Sequence, residues 1–576
     1  MRRVFAAFGC IFVVAALFSS SAAAEEPSRV GLNLRLGTAE ALPTALKAAP
    51  EELEAIAQFN RAADGPAQNG FSRALGTGRE VRLSNADLSR PTPFELAGGV
   101  VTRSTRGGLV WSGEVVVAGA WALRLHLDSP SLPAGSRVWV YAPGGAASEV
   151  SGARLARAVD RGELWTGITW GERAWLEVEV PAEGLGPGRE ARFVLDRVLE
   201  VVRLDPEGRP TAPSGPVAKH EHCFVDTICA KEDFAAAIAD FERAVAMITY
   251  VKEGSGFLCS GALVADSDPL PHQRAFFMTA RHCVDSQTVA DTATTFFKRW
   301  RTSCGGGQAT PQTVEGAAFL VGSKNDDGDY SLLELDGLPP NPYFLPVNPD
   351  PGATATGKIL SSVHHARGNP QLFSRHETIA ECVGGQFYVS MQTLFGGTGP
   401  GSSGAAFVDQ QGRLVGVVRG ACRFAAGDIS DGCDPGTYAF ITRVSSIYHQ
   451  IRDFLEAPPP PPQEGFVTDP AFPGFEFRVD ITAGGQTIGG TKEPACLPET
   501  VCFSGALAGR SEVFVRVVGP RPNGLLWPIL VKFTSSRVDV WIRQLGTGDL
   551  RHYMLEGAGP GDDTLPGLFD RDGFVP

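Results

Sequence analysis

The first part of the chain alternates short apolar runs with Pro/Gly-rich turns. Residues 25 to about 216 begin with a mixed, partly helical segment that includes Pro50–Ala62. After it, apolar and polar residues alternate with a period of two, as expected when one face of a strand is buried. The runs that predict strands are Val115–Val117, Trp121–Leu127, Arg137–Tyr141 and Trp175–Val180. Short strands separated by turns predict a β-sandwich in this region.

The last part of the chain combines one helical pattern with further strand patterns. A strand-like run ends at Val444, and apolar residues then recur with helical spacing from Ile447 to Leu455. Residues 464–576 contain strand-like runs at Phe475–Ile481, Glu512–Val518, Ile529–Phe533 and Val538–Arg543. We therefore expect a mainly β protein that ends in a small β-sandwich, whose role these residues do not indicate.

Two proline-rich stretches divide the chain. The stretch Asp205–Pro216 mixes Pro with Gly, and Pro458–Pro462 is an uninterrupted run that favours a semi-rigid spacer. A chain of 576 residues is long enough for about three or four compact units. The predicted division is a leader at 1–24, a sandwich-like domain at 25–216, a central domain at 217–457, a linker at 458–463 and a C-terminal β-rich domain at 464–576.

The first residues are typical of a secretory signal peptide. Met1–Arg3 is followed by an uncharged run through Phe18 and by small residues that end in Ala22–Ala24. A membrane anchor is the competing interpretation, because the uncharged run is nearly long enough to span a bilayer. The serine and alanine residues at its end favour cleavage. We therefore expect a secreted or periplasmic protein without a stable membrane anchor.

Secretion changes the interpretation of the cysteines. The chain has 11, and Cys10 lies in the predicted signal peptide, which leaves an even number for disulfides in an oxidising compartment. Cys496 and Cys502 are close enough in sequence to staple a loop. The cluster His220–Cys223 with Cys229 could instead hold zinc, but its cysteines lack the close pairing of zinc ribbons, so we expect no metal and no cofactor.

The net charge of −13 supplies no basic stripe, so we expect no nucleic-acid partner.

Three short motifs follow one another in the order His, Asp, Ser. They are TARHC around His282, DYSLL from Asp329 and GPGSSG around Ser403, and each adjoins a strand-like run. A serine hydroxyl needs a neutral imidazole to take its proton and a carboxylate to hold that imidazole in the right tautomer. This order is one of the known orders of such a triad. The neighbouring glycines would also let the backbone N–H groups of Gly401 and Ser403 face an oxyanion.

Each motif alone has a purely structural interpretation. A Gly-Ser-Ser-Gly sequence is more often a flexible loop, and an aspartate before a strand can cap a turn. A histidine after an apolar run is more often a satisfied core residue. The conjunction of the three motifs favours catalysis, and we predict His282, Asp329 and Ser403 as the catalytic residues.

Two of these regions resemble a known family. The sequence CSGALV from Cys259, followed by FFMTARHC up to Cys283, resembles the histidine region of trypsin-like serine peptidases. The serine motif GGTGPGSSG resembles more narrowly that of bacterial lysyl endopeptidases, and the resemblance extends from Cys223 to about Glu456. One departure is Arg281, which stands where trypsin-like enzymes usually have Ala.

The resemblance implies a fold and a set of disulfides. The fold is the chymotrypsin-like double barrel, two packed six-stranded antiparallel barrels with the triad at their junction. The implied disulfides are Cys223–Cys422, Cys229–Cys304 and Cys259–Cys283, and the remaining pair is Cys382–Cys433.

The primary specificity pocket is equivocal in this chain. By matching, Gly397 stands where trypsin carries its pocket aspartate, Gly436 where lysyl endopeptidases carry theirs, and Gly420 is the pocket-wall glycine. Glycine at all three positions favours a roomy pocket for a large apolar side chain. Asp434, if Cys382–Cys433 holds it near the pocket, would instead supply the partner that a buried Lys or Arg needs. A solvated loop aspartate is the other interpretation of Asp434.

These patterns predict a secreted serine endopeptidase that acts on proteins or peptides and is made as a precursor. By the resemblance, residues 25–216 would template a slowly folding β-rich domain and cover its cleft until they are cut away. The new N-terminus would lie within residues 215–220, and the bond after Lys219 is the natural site if the enzyme cuts itself and prefers Lys. The alternatives are a permanent carbohydrate- or surface-binding sandwich for this region and, for the chain, a non-catalytic secreted binding or adhesion protein on a peptidase-like fold.

Overall fold

The computed structural model describes most of the chain. The described residues are 49–62, 65–143, 145, 147–205, 210–211, 223–267, 273–323, 328–380, 387–423, 437–456, 465–483, 486–494, 497–505, 512–519, 526–533, 536–547, 549–555 and 567–569. The predicted signal peptide and linker, residues 215–220, Asp434 and Gly436 lie outside them. Contacts divide the chain into two compact units, Met1–Leu455 and Glu456–Pro576. No helix in the ranges given above is long and apolar enough to cross a membrane.

The N-terminal region of the first unit is a two-layer sandwich. Its helices are α1 Pro50–Ala62 and α2 Gly152–Arg161, with 3-10 turns at Asp87–Ser89 and Ala182–Leu185. Its strands are β1 Ala67–Ser84, β2 Phe94–Leu96, β3 Gly99–Arg103, β4 Leu109–Val116, β5 Ala122–Ser131, β6 Arg137–Tyr141, β7 Ser148–Glu149, β8 Glu163–Trp165, β9 Thr169–Trp170, β10 Arg173–Val180, β11 Glu190–Val201, β12 Arg203–Leu204 and β13 Pro210–Thr211.

The two layers of this sandwich share one core. Strands β2, β3, β4, β10, β6 and β7 form one sheet in that order, and β1, β11 and β5 pair side by side in the other. Trp111 of the first sheet is fully buried and packs edge-on against Phe193 of the second, with 5.4 Å between the ring centroids. The predicted sandwich is confirmed, and the alternating pattern that predicted it is the inward face of these strands.

The central region of the first unit follows, from β14 onward. Its strands are β14 Val225–Asp226, β15 Val245–Lys252, β16 Ser255–Leu263, β17 Phe276–Thr279, β18 Thr294–Phe297, β19 Gln312–Glu315, β20 Ala317–Ser323, β21 Tyr330–Leu335, β22 Ile359–His364, β23 Leu372–Ile379, β24 Tyr388–Phe395, β25 Ala406–Val408, β26 Leu414–Arg423 and β27 Thr437–Arg443. Its helices are α3 Thr227–Ile238, α4 Phe241–Ala244, α5 Gln287–Asp291 and α6 Val444–Leu455, with 3-10 turns at Pro351–Thr354 and Ala366–Gly368.

Two antiparallel sheets build the central region. In one, β23, β22, β25, β26, β27 and β24 pair in that order, and β24 pairs again with β23, so six strands close into a barrel. In the other, β19, β18, β15, β16, β17, β21 and β20 pair in that order. The predicted fold class is confirmed. The second sheet differs from the prediction in having seven strands instead of six and in pairing with β1 as well.

Strand β1 is the main element that the sequence pattern does not predict. It spans 18 residues and pairs with β11 along most of its length, while its first residues pair with β16. The N-terminal and central regions therefore share a 12-stranded sheet. Gly70, Gly76 and Gly78 interrupt β1, and its register shifts between Ala74 and Arg79. Such irregularities remove the period-two signal from which a strand is predicted.

The second unit is a smaller sandwich. Its strands are β28 Val467–Thr468, β29 Phe475–Ala483, β30 Gln486–Gly489, β31 Thr491–Lys492, β32 Val501–Ser504, β33 Val513–Val518, β34 Trp527–Lys532, β35 Arg537–Gln544, β36 Leu550–Leu555 and β37 Gly567–Phe569. They form two five-stranded sheets over one apolar core, which confirms the predicted C-terminal sandwich.

The disulfide predictions divide into two groups. Cys229–Cys304 and Cys259–Cys283 are present and confirmed. Cys223 and Cys502 are each disulfide-bonded. The remaining predicted partners, whose side chains lie outside the described residues, are Cys382, Cys422, Cys433 and Cys496.

Candidate active site

Strand pairing brings His282 and Asp329 together. Strands β17 and β21 are antiparallel neighbours, with Thr279 opposite Ser331. His282 follows β17 by a short turn and Asp329 immediately precedes β21, so both side chains lie at the same end of this pair. His282 Nδ1 is 2.8 Å from Asp329 Oδ2, and the His282 backbone N–H donates to Asp329 Oδ1 at 3.1 Å. Asp329 is fully buried. The carboxylate therefore holds the imidazole in one orientation.

A third residue, Arg419, forms an ion pair with the buried carboxylate of Asp329. Arg419 on β26 places Nε 2.7 Å from Asp329 Oδ2, the oxygen that faces His282. Burial raises the pKa of Asp329, but the hydrogen bond and charge of His282 and the charge of Arg419 outweigh it, so this pKa lies below its ordinary value. Asp329 is therefore held as a carboxylate. The sequence analysis missed Arg419, because only the folded sheet brings β26 to this position.

We predict that Arg419 positions Asp329. Arg419→Ala should lower kcat about tenfold, the effect of losing roughly 1.4 kcal/mol of transition-state stabilisation. Arg419→Lys should restore part of kcat, since it returns the charge without the planar geometry. Steady-state kinetics on the processed protein measure both. A change confined to KM would assign Arg419 to substrate binding instead.

Ser403 lies on a turn that only glycine neighbours permit. Gly401 and Gly404 both have left-handed backbone angles, φ 89° and 80°. A Cβ on Gly404 would collide with the Thr279 hydroxyl and the Ser260 carbonyl. The Ser260 backbone N–H donates to the Ser403 carbonyl at 2.8 Å, which ties this turn to β16 beside the histidine. His282 Nε2, the nitrogen that would take the serine proton, is buried and has no hydrogen-bond partner among the described residues.

His364 supports this turn from behind. Its Nδ1 is 3.0 Å from the Ser402 hydroxyl oxygen, which also accepts from the Gly399 backbone N–H at 3.1 Å. The Ala366 backbone N–H donates to the same Nδ1 at 3.3 Å, so Nδ1 is an acceptor and the ring is neutral. Burial lowers the pKa of His364 to about 3, in agreement with this assignment. The sequence carried no signal for this contact, since 38 residues separate His364 from Ser402.

Two further histidines of the same barrel are buried and neutral. Burial lowers the pKa of His365 to about 3, with the charge of Arg299 adding to it, and burial also lowers the pKa of His376 to about 3. Each of these values lies below that of the unfolded chain, near 6.5. As the pH falls from about 6.5 towards 3, the unfolded state takes up protons that the folded state refuses. The stability that these neutral histidines contribute is therefore fully present above about pH 6.5 and is lost on acidification.

We predict acid destabilisation with a slope that these histidines set. Each should contribute up to about one proton to the pH dependence of the free energy of unfolding between about pH 6 and pH 4. Denaturant unfolding at several pH values measures the slope, because its midpoint follows the free energy of unfolding. In a His376→Gln variant, the pH dependence of the free energy of unfolding should be smaller by about one proton. Equal slopes in the two proteins would contradict a neutral, buried His376.

Of the four predicted pocket residues, Gly397 and Gly420 lie within the described residues. Gly397 is buried beside His364, and Gly420 lies on β26 opposite Phe440.

Among the described residues, one group has the geometry to hold a metal, Cys259, His282 and Cys283. Both of its sulfurs are joined in the disulfide, so neither is a free thiolate ligand.

Parts of the chain are similar to known proteins. Residues 217–431 match a family model described as the lysyl endopeptidase C-terminal domain. Among solved structures, the chain is similar to the Rv3671c protease from M. tuberculosis H37Rv. The inactive form of a mutant of that protein is 17% identical over 40% of this chain and 95% of that chain, with a TM-score of 0.27. The active form is 18% identical over 42% of this chain and 95% of that chain, also with a TM-score of 0.27. No curated protein matches the chain. The family match supports a peptidase.

Proposed function

We propose that the chain is a serine endopeptidase that hydrolyses peptide bonds through Ser403, His282 and Asp329. The observation that carries this proposal is the contact of His282 with the buried Asp329, with 2.8 Å between Nδ1 and Oδ2, next to the glycine-bounded turn of Ser403. The order of the three residues in the sequence and the family match both support it.

The proposed mechanism follows the roles of these groups. Ser403 Oγ attacks the substrate carbonyl carbon, and its proton passes to His282 Nε2. The N–H groups of Gly401 and Ser403 stabilise the oxyanion. His282 then gives the proton to the leaving amine, the C–N bond breaks, and an acyl-enzyme remains. Water hydrolyses this ester by the same proton route. Asp329 keeps the Nδ1–H tautomer and stabilises the imidazolium that forms.

The proposal includes secretion as a precursor and a basic residue on the acyl side of the cut bond. The signal-like leader and the disulfides support an extracytoplasmic location. The family match favours Lys, and Asp434 would be the pocket carboxylate. Asp434→Asn should then lower kcat/KM for Lys peptides far more than for Leu or Phe peptides. Equal activity towards all three in the wild type would favour the roomy apolar pocket.

Active-site labelling tests the catalytic part of the proposal. The processed protein should react with a fluorophosphonate at Ser403, since only an activated serine does so. Ser403→Ala should remain unlabelled, and the exposed-serine control Ser303→Ala should label like the wild type. A processed wild type that stays unlabelled would overturn the enzyme assignment and leave the non-catalytic binding protein.

A further inference from the structure

The N-terminal region places its own backbone in the candidate active site. The Gly65 carbonyl oxygen accepts a hydrogen bond from the Gly401 backbone N–H at 3.2 Å. This N–H is the one that the proposed function assigns to the oxyanion. A Cβ on Gly65 would lie 3.7 Å from His282 Cδ2 and 3.8 Å from Nε2. Gly65 therefore lies between the imidazole and the oxyanion donor, where the carbonyl of a substrate would lie.

The residues after Gly65 continue along the cleft as a strand. Ala67 pairs with Leu258 and Gln68 with Phe257, both on β16 and antiparallel. Leu258 directly precedes Cys259, which is bonded to Cys283 beside the catalytic histidine. An extended peptide commonly binds by adding a strand to a sheet in this way. Residues 66–71 therefore occupy the leaving-group side of the cleft.

We infer that Gly65–Pro66 is an internal pseudo-substrate that holds the enzyme latent. This inference rests on the proposed function, because it gives the peptide bond between these residues the position of the bond to be cut. It also goes further, because it assigns the latency to residues 65–68 of the N-terminal region. The predicted processing segment, residues 215–220, is far away in sequence.

The chemistry of this bond explains why it would survive in the site. Gly65 has no side chain to fill the primary pocket. The nitrogen of Pro66 belongs to a ring that fixes the φ angle of this residue. If Ser403 Oγ attacked the Gly65 carbonyl carbon, its proton would pass through His282 to the Pro66 nitrogen as the C–N bond broke. The products would be a Gly65 ester and a secondary amine at Pro66. Because β1 also pairs with β11, this amine stays in place, and its attack on the ester re-forms the bond.

Contacts within the N-terminal region fix the pseudo-substrate. Asn60 of α1 is buried and binds both backbone groups of Gln68: its Oδ1 accepts from the Gln68 N–H at 2.8 Å, and its Nδ2 donates to the Gln68 carbonyl at 3.0 Å. Ala67 is fully buried in the cleft. Phe59 packs against Phe257 of β16, with ring centroids 5.8 Å apart.

Charged contacts dock the same region on the central domain. Helix α2 starts at a Ser151 cap, and two of its arginines reach carboxylates of the central region. Arg154 Nη1 is 2.9 Å from Glu315 Oε2, and Arg157 Nη2 is 2.8 Å from Asp336 Oδ2. None of these contacts involves residues 215–220. A cut in that segment therefore leaves the cleft occupied, and activity requires that the N-terminal region dissociates or is degraded.

The labelling rate of the full-length chain tests this inference. We expect slow fluorophosphonate labelling of Ser403 in the wild type. Asn60→Ala and Ala67→Glu should raise the rate at least about tenfold, because they unseat residues 65–68 without changing the central domain. Arg82→Ala, on an exposed part of the same strand, is the matched control. Circular dichroism confirms folding, and Asn60→Ala is the milder variant if Ala67→Glu misfolds. Equally fast labelling of wild type and Asn60→Ala would overturn the inference and leave the proposed function intact.

Nicking the chain gives an independent readout. The full-length protein is cut after Lys219 with an added Lys-specific peptidase, and the fragments are followed by size-exclusion chromatography. Labelling should stay slow while the N-terminal fragment co-elutes and should rise as dilution releases it. Fast labelling with the fragment still bound would overturn the inference. No labelling even after complete release would overturn the proposed function.

Discussion

Ser403→Ala is expected to lower kcat/KM for a peptide substrate by about a thousandfold or more. The alanine removes the nucleophile, so what remains is the rate that binding and oxyanion stabilisation alone provide. His282→Ala should be comparably severe, because nucleophile and base act as one unit and the loss of either removes the function of both. Both variants are measured after processing by an added peptidase, so that a processing defect cannot imitate a catalytic one.

The controls for this prediction separate chemistry from folding. Both variants should keep the thermal unfolding midpoint of the wild type within a few degrees, since neither change creates a large cavity. Ser303→Ala should keep full activity, because this serine is exposed on a loop. If either triad variant keeps more than about a tenth of the wild-type hydrolysis, the assignment of that residue fails.

Local patterns were sufficient to predict several of the strands and the triad candidates. β6 has the bounds that alternation predicts, and α1 spans the predicted Pro50–Ala62. His282 and Asp329 could be found because each follows or precedes a short apolar strand, and antiparallel neighbours bring such strand ends together. The pairs Cys229–Cys304 and Cys259–Cys283 came from the family resemblance and not from spacing.

The contacts that refine the site could not be predicted because they join distant parts of the chain. Arg419 reaches Asp329 from β26, and β26 lies in a different sheet from β21, the strand that Asp329 precedes. The Gly65 carbonyl meets Gly401 although more than three hundred residues separate them in sequence. No local propensity encodes such an approach, since pairing depends on which strand edges the folded sheets leave available. Glycine and proline at 65 and 66 predict only a turn when they are considered in isolation.

Asp329→Asn is expected to lower kcat about ten-thousandfold while the fold is preserved. In the wild type, Oδ2 faces both His282 Nδ1 and Arg419 Nε, and Oδ1 accepts the His282 backbone N–H. An amide offers one acceptor oxygen and one donor NH2 in place of two acceptors. Either orientation therefore turns an NH2 group towards a donor.

The loss of activity should come from the tautomer and not from the loss of negative charge alone. When the NH2 faces Nδ1, that nitrogen must accept, so the ring proton moves to Nε2, which then cannot take the Ser403 proton. Steady-state kinetics on the processed variant measure the effect, and Asp409→Asn is the matched control, since that aspartate is also hydrogen-bonded but belongs to a different loop. An Asp329→Asn protein that keeps more than about a tenth of the wild-type kcat would mean that Asp329 serves the His282 backbone N–H as a structural partner and does not set the tautomer of the ring.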